Sequence, residues 1–172
     1  MNKRVSIIHG WESNSKEHWF QEEKARLEKM GYQVTVPDMP NAFSPKEKEW
    51  LETIDSFQLD ENWILIGLSL GATLILRYLE KTRQKVGTCV LIASPINNCG
   101  YKEVDDFFQK DFDWQKIKRM AKKFVVIAQN QDPYVSLEQS KNLAKNLNVD
   151  LILTEGNDHF DKIDFSLIEN NL

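Results

Sequence analysis

Residues Asn62–Glu80 read NWILIGLSLGATLILRYLE. The first part, WILI, is an unbroken apolar run of the kind found in strands buried on both faces. The last part, GATLILRYLE, continues as a helix, and Gly67 and Gly71 mark the turn between the two. Ser69 stands between those glycines, where neither a buried strand nor a helix interior needs a serine. Two readings are open from this stretch alone: a helix N-cap in a glycine-punctuated turn, or a hydroxyl held out for chemistry.

The rest of the chain repeats the same alternation. Five further short apolar runs read as strands: VSIIHG from Val5, QVTVP from Gln33, TCVLIAS from Thr88, FVVIAQ from Phe124 and DLILT from Asp150. Amphipathic stretches lie between them. SKEHWFQEEKARLEKMG opens on a capping pattern at Ser15, carries Trp19, Leu27 and Met30 among charges, and stops at Gly31. SPKEKEWLETIDSF places Pro45 in a first helical turn. LGATLILRYLEKTRQ and SLEQSKNLAKNL are further helices, and DKIDFSLIENNL is a weaker one. Strands alternating with helices specify an α/β fold with a mostly parallel sheet of about six strands and helices on both faces. No repeat, linker or composition break divides the chain, so residues 1–172 are expected to form one domain. Residues 95–120 are the irregular part, with Tyr101, Phe107, Phe108, Phe112 and Trp114 among acidic residues. One or two short helices over an end of the sheet are expected there, as local core or as a small lid.

The chain has 172 residues and a formal net charge of −4. That balance argues against nucleic acid or an anionic membrane as the main partner, since both select basic patches. The basic run KIKRMAKK (116–123) follows the acidic DDFFQKDFD and reads as a solvated helix face. The N-terminal apolar run is too short for a signal peptide, and no stretch approaches a membrane span. Cys89 and Cys99 make no disulfide framework or metal-ligand pattern. A cytoplasmic location is the default expectation, with monomer as the default state.

G-L-S-L-G fits G-x-S-x-G, whose structural context is a strand before and a helix after. A serine hydroxyl is a weak nucleophile unless a base takes its proton and a third group orients that base. In such an architecture those partners follow in the order acid, then histidine, in loops after later strands. Asp132 fits, after the fifth strand in QNQDPYV; a plain Asp-Pro turn is the alternative. His159 fits, after the sixth strand in EGNDHF, with a solvated loop histidine as its alternative. Asp158 and Asp161 are rival orienting groups. An oxyanion hole needs two amide donors, assigned to the N–H groups of Leu70 and Trp11. His9, Trp11 and Pro133 are the candidate substrate-pocket residues, although His9 also reads as a support of its loop. His18 reads as a packed or exposed helix residue. No metal and no organic cofactor are expected.

Taken together, IIHGWESNSKEHWF, PDMPN, GLSLGATLILRYLE, QNQDPYV and GNDHF resemble the YdeN and retinoblastoma-binding-protein-9 family of small serine hydrolases, within the α/β-hydrolase fold. The likeness runs over nearly the whole chain, and the combination of HWF and DMPN with the commoner pieces is its specific part. The resemblance implies a Ser69–Asp132–His159 triad, an oxyanion hole at Trp11 and Leu70, and strand order 2-1-3-4-5-6. It also implies esterase-like or aminopeptidase-like activity on a small-molecule acyl substrate. With few residues for a cap, a shallow pocket for short acyl chains is expected. Two other classes compete with this reading. A flavodoxin-like binder is disfavoured because HGWESNS lacks a glycine-rich phosphate loop. A catalytically inactive interaction module on the same fold is the remaining alternative.

Overall fold

The computed structural model describes residues 3–172. Six strands, β1 (Arg4–Ile8), β2 (Gln33–Thr35), β3 (Trp63–Leu68), β4 (Val86–Ile92), β5 (Ala121–Gln129) and β6 (Leu151–Thr154), form one sheet in the order β2-β1-β3-β4-β5-β6. Every neighbouring pair is parallel. Parallel strands need crossovers, and the helices α1 (Phe20–Lys29), α2 (Glu47–Asp55), α3 (Leu70–Lys81), α4 (Trp114–Arg119), α5 (Leu137–Leu147) and α6 (Ser166–Glu169) lie in the connections and after β6.

Side-chain alternation along the strands divides the core in two. Ile64, Ile66 and Leu68 of β3 join Trp19, Phe20, Leu27 and Ile168 on the α1 and α6 side. Trp63 and Leu65 point the other way, against Trp50, Leu74, Leu79 and Leu143 of α2, α3 and α5. With both faces covered, β3 is buried along its whole length. That is why its sequence reads as an apolar run rather than as an alternation. Its helix α3 is buried nearly throughout as well, Leu70 to Glu80.

Three elements depart from the sequence expectation. The helix expected from Ser15 begins at Phe20. The Ser15 N–H donates to Asp38 Oδ1 at 2.7 Å and His18 takes a φ of 52°, so a tertiary contact holds residues 11–19 as turns. The basic run 116–123 is not one helix face. α4 ends at Arg119, and Ala121–Lys123 extend β5, with Lys122 and Lys123 exposed on a strand that pairs with Val86 and Thr88. The C-terminal helix shrinks to Ser166–Glu169.

Segment 95–120 contains a 3-10 helix at Lys102–Phe108 followed by α4. Arg77 of α3, fully buried, holds this segment down. Its Nε donates to the Phe107 carbonyl at 2.8 Å and its Nη2 to the Lys110 carbonyl at 2.6 Å. Glu80 Oε2 lies 2.8 Å from Nη1, and the guanidinium sits 3.7 Å from the centre of the Phe112 ring. The charge is therefore paired and donated to carbonyls, as burial requires.

Candidate active site

Because all six strands run the same way, the loops after β1, β3, β5 and β6 leave one edge of the sheet together. Ser69 sits directly between β3 and α3 with φ 55° and ψ −124°. A non-glycine residue at positive φ costs on the order of 1–3 kcal/mol and persists only where its surroundings over-determine it. Here they do. The Ser69 N–H donates to the Ile92 carbonyl at 2.9 Å, and its carbonyl accepts from Ala72 at 2.9 Å. Glycines give the backbones room to meet. A Cβ on Gly71 would lie 2.3 Å from the Ile8 carbonyl oxygen, and one on Gly67 would lie 2.5 Å from Ala72 Cα. Ser69 has no side-chain capping bond, so the N-cap reading of this serine is set aside.

Asp132 lies in the loop between β5 and the Ser136 cap of α5. Its Oδ1 accepts the N–H groups of Tyr134 and Val135, both at 2.9 Å, which fixes the carboxylate plane. His159 Nδ1 lies 2.9 Å from Oδ1 and 2.8 Å from Oδ2. A carboxylate only accepts, so Nδ1 carries a proton, and in the neutral ring Nε2 is then the nitrogen with the lone pair. The Asp132 side chain is 2% exposed and that of His159 is 14% exposed. Burial pushes the Asp132 carboxyl up, but His159 and the two backbone donors outweigh it and hold it below the usual carboxylate range.

A cavity of about 400 Å³ lies at this edge. Trp11, Ser69, Leu70, Pro133 and His159, all singled out from the sequence, line it. Among the described residues, neither the Trp11 nor the Leu70 N–H has a protein acceptor. Asp132 stands behind His159 rather than in the wall. Asp158 and Asp161 line the cavity, but Asp158 Oδ1 is taken by Gln129 at 2.6 Å and Asp161 faces His18 at 3.3 Å.

His9 does not belong to this pocket. It is fully buried, with Nε2 accepting the Met39 N–H at 2.8 Å and Nδ1 donating to the Gly10 carbonyl at 2.8 Å. A backbone donor at Nε2 demands the neutral ring, and burial lowers its pKa accordingly. His9 therefore fastens the β1 loop to the 37–41 loop.

The cavity is also lined by residues that the sequence did not assign to the pocket. His18, read as a helix residue, lines the cavity from a turn. Asn97, Asn98 and Tyr101 arrive from the irregular segment. Tyr101 packs on Trp11 at 5.2 Å, and Tyr134 stands edge-on to the His159 ring at 4.9 Å. Tyr134 follows Asp132-Pro133 and was discoverable from that adjacency. Among the described residues, five of the ten non-glycine residues with positive φ line this one cavity: Glu12, His18, Ser69, Cys99 and His159. Strain gathered at one place is a mark of a functional site.

Comparison with known proteins bears on the family and the fold. A family model described as serine hydrolase matches residues 5–164. YdeN of Bacillus subtilis is 37% identical over 165 residues, covering 93% of this chain and 87% of its own. The crystal structure of that gene product superposes with a TM-score of 0.88 at 36% identity, covering 92% of this chain and 88% of the other. The serine hydrolase RBBP9 of Rattus norvegicus is 24% identical over 151 residues, covering 86% of this chain and 80% of its own. Alpha/beta hydrolase domain-containing protein 10 from mouse shares the fold, with a TM-score of 0.71 at 15% identity over 94% of this chain and 84% of its own. The chain belongs to the serine hydrolase family and has the α/β-hydrolase fold.

Proposed function

We propose that the protein cleaves a small carboxylic ester, thioester or amide through an acyl-enzyme intermediate. Ser69 Oγ attacks the carbonyl carbon while His159 Nε2 takes the hydroxyl proton. The same imidazole then returns that proton to the leaving group, and water repeats the sequence to release the acid. Asp132 holds the ring in the Nδ1–H tautomer and stabilises its charged form. The N–H groups of Trp11 and Leu70 receive the developing oxyanion; among the described residues no protein group claims them, as such donors require.

The observation that carries this reading is the pairing of a strained, uncapped serine with an aspartate-bound histidine on one cavity. An inactive interaction module has no use for either the strain or the buried Asp132–His159 pair.

Treatment with a fluorophosphonate tests it, the phosphonyl group being trapped on Ser69 Oγ with loss of fluoride. Intact-mass and peptide analysis should place one adduct on Ser69. Ser69→Ala should give none, and His159→Ala should slow labelling by about a thousandfold or more. Folded wild-type protein that takes up no label would overturn the enzymatic reading in favour of an interaction module.

A further inference from the structure

His159 and Phe160 hold φ angles of 55° and 59° in succession, and neither is a glycine. The bond from Asp132 fixes the imidazole ring but not this strained main chain. Gln129, the last residue of β5 and 5% exposed, grips it from the other side. Its Nε2 donates to Asp158 Oδ1 at 2.6 Å, and its Oε1 accepts the Phe160 N–H at 3.4 Å. Asp158 Oδ1 shares that N–H at 3.2 Å. Only one orientation of the amide satisfies both contacts, with the NH2 toward the carboxylate.

One buried side chain thus holds the residue before His159 and the residue after it. The loop is shaped to admit that side chain: a Cβ on Gly156 would lie 2.4 Å from Gln129 Nε2. Trp19 Nε1 completes the restraint by donating to the Phe160 carbonyl at 3.0 Å.

We propose that Gln129 is the positioning residue of the base. Through Asp158 and Phe160 it sets the His159 main chain so that the ring meets Asp132 and faces the cavity at the same time. The proposal rests on the hydrolase reading above. Gln129 is not among the residues lining the cavity, so it acts through His159 and not on the substrate.

The test uses the full chain with Gln129→Leu, Asp158→Ala and the double variant. Thermal midpoint, kcat and KM on p-nitrophenyl acetate, the pH profile of kcat/KM, and the His159 imidazole 15N resonances are measured for each. A shift of the reacting geometry by about 1 Å is worth roughly 100-fold, so Gln129→Leu should lower kcat by about 10- to 100-fold with KM nearly unchanged. The pH profile and the imidazole resonances should move with it. Asp158→Ala should resemble it, and the double variant should be no worse than the worse single, because the two share one contact.

Loss of activity only in proportion to the unfolded fraction, with profile and resonances as in wild type, would overturn the proposal. If Gln129→Leu does not fold, the exposed Asp158 still decides: unchanged kcat and resonances in Asp158→Ala overturn it equally. If wild type neither labels nor turns over ester, the hydrolase reading fails by itself. The imidazole resonances of wild type and variants then still show whether Gln129 sets the ring.

Discussion

Two aspartates stand close to His159 in the chain or in space, and the hydrogen bonds divide their tasks. Asp132 contacts the ring nitrogen through both oxygens, whereas Asp158 turns its Oδ1 to Gln129 and the Phe160 amide. Asp132→Asn keeps the size of the side chain but presents an amide to Nδ1, which favours the wrong tautomer. Loss of the orienting aspartate in a comparable triad is worth about 10⁴ in kcat, and a drop of that order is expected here with the fold intact. Asp158→Asn retains an oxygen that accepts from Gln129, and its loss should stay within about tenfold. Steady-state ester hydrolysis on both variants separates the roles; equal losses would return Asp158 to contention as the orienting acid. The sequence put Asp132 ahead of Asp158 as the orienting acid but did not show what Asp158 holds instead, because such contacts depend on how two loops meet.

At the scale of the element, α1 carries a charge on the wrong face. Glu23 points inward beside Phe20 and Leu27 and is fully buried, and among the described residues neither carboxylate oxygen has a hydrogen-bond partner. Arg26, one turn on, is committed to Glu169 at 2.7 Å and stands 3.9 Å from Glu23. Burial above all, with the like charges of Glu169 and Glu22 and against the attraction of Arg26, raises Glu23 from 4.5 to about 7. A folded-state pKa above the unfolded one means that the native state holds the proton more tightly. The stability linked to this group is full below about pH 4.5 and is lost as pH rises through about 7, by roughly 3 kcal/mol at most. Denaturant midpoints of wild type should therefore fall between about pH 5 and about pH 8 relative to those of Glu23→Gln, which lacks the titrating group. Parallel curves for the two proteins would exclude this account. The helical period of α1 was legible, but its start was not. Ser15 has the composition of a cap, and only the Asp38 carboxylate, brought from the β2–α2 loop, shows why it does not act as one.

At the scale of the whole molecule, the segment between β4 and β5 decides the size of the site. It supplies Asn97, Asn98, Tyr101 and Val104 to the cavity wall and is tied to α3 by Arg77. The resulting volume of about 400 Å³ is near the small end for ligand pockets. Among p-nitrophenyl esters, kcat/KM should therefore peak at short acyl chains, up to about four carbons, and decline beyond. A steady rise toward long chains would show that the wall opens further than its anchoring by Arg77 allows.

The six strands, their parallel arrangement and the serine at the strand–helix turn were determined by the sequence itself. Apolar runs without alternation are buried between two helical layers, and a strand before and a helix after the glycine-flanked serine give it the context of a nucleophile elbow. The order of acid and histidine after β5 and β6 was legible for the same reason, since parallel strands send those loops to one edge. Tertiary structure alone decided the rest: that His9, which also read as a loop support, stays out of the pocket, that His18 and the two asparagines line the cavity, and that Gln129 supports the histidine loop. Each of these depends on a hydrogen bond or contact between segments far apart in the chain. Local composition constrains backbone and burial, but it leaves the meeting of distant side chains to the packed fold.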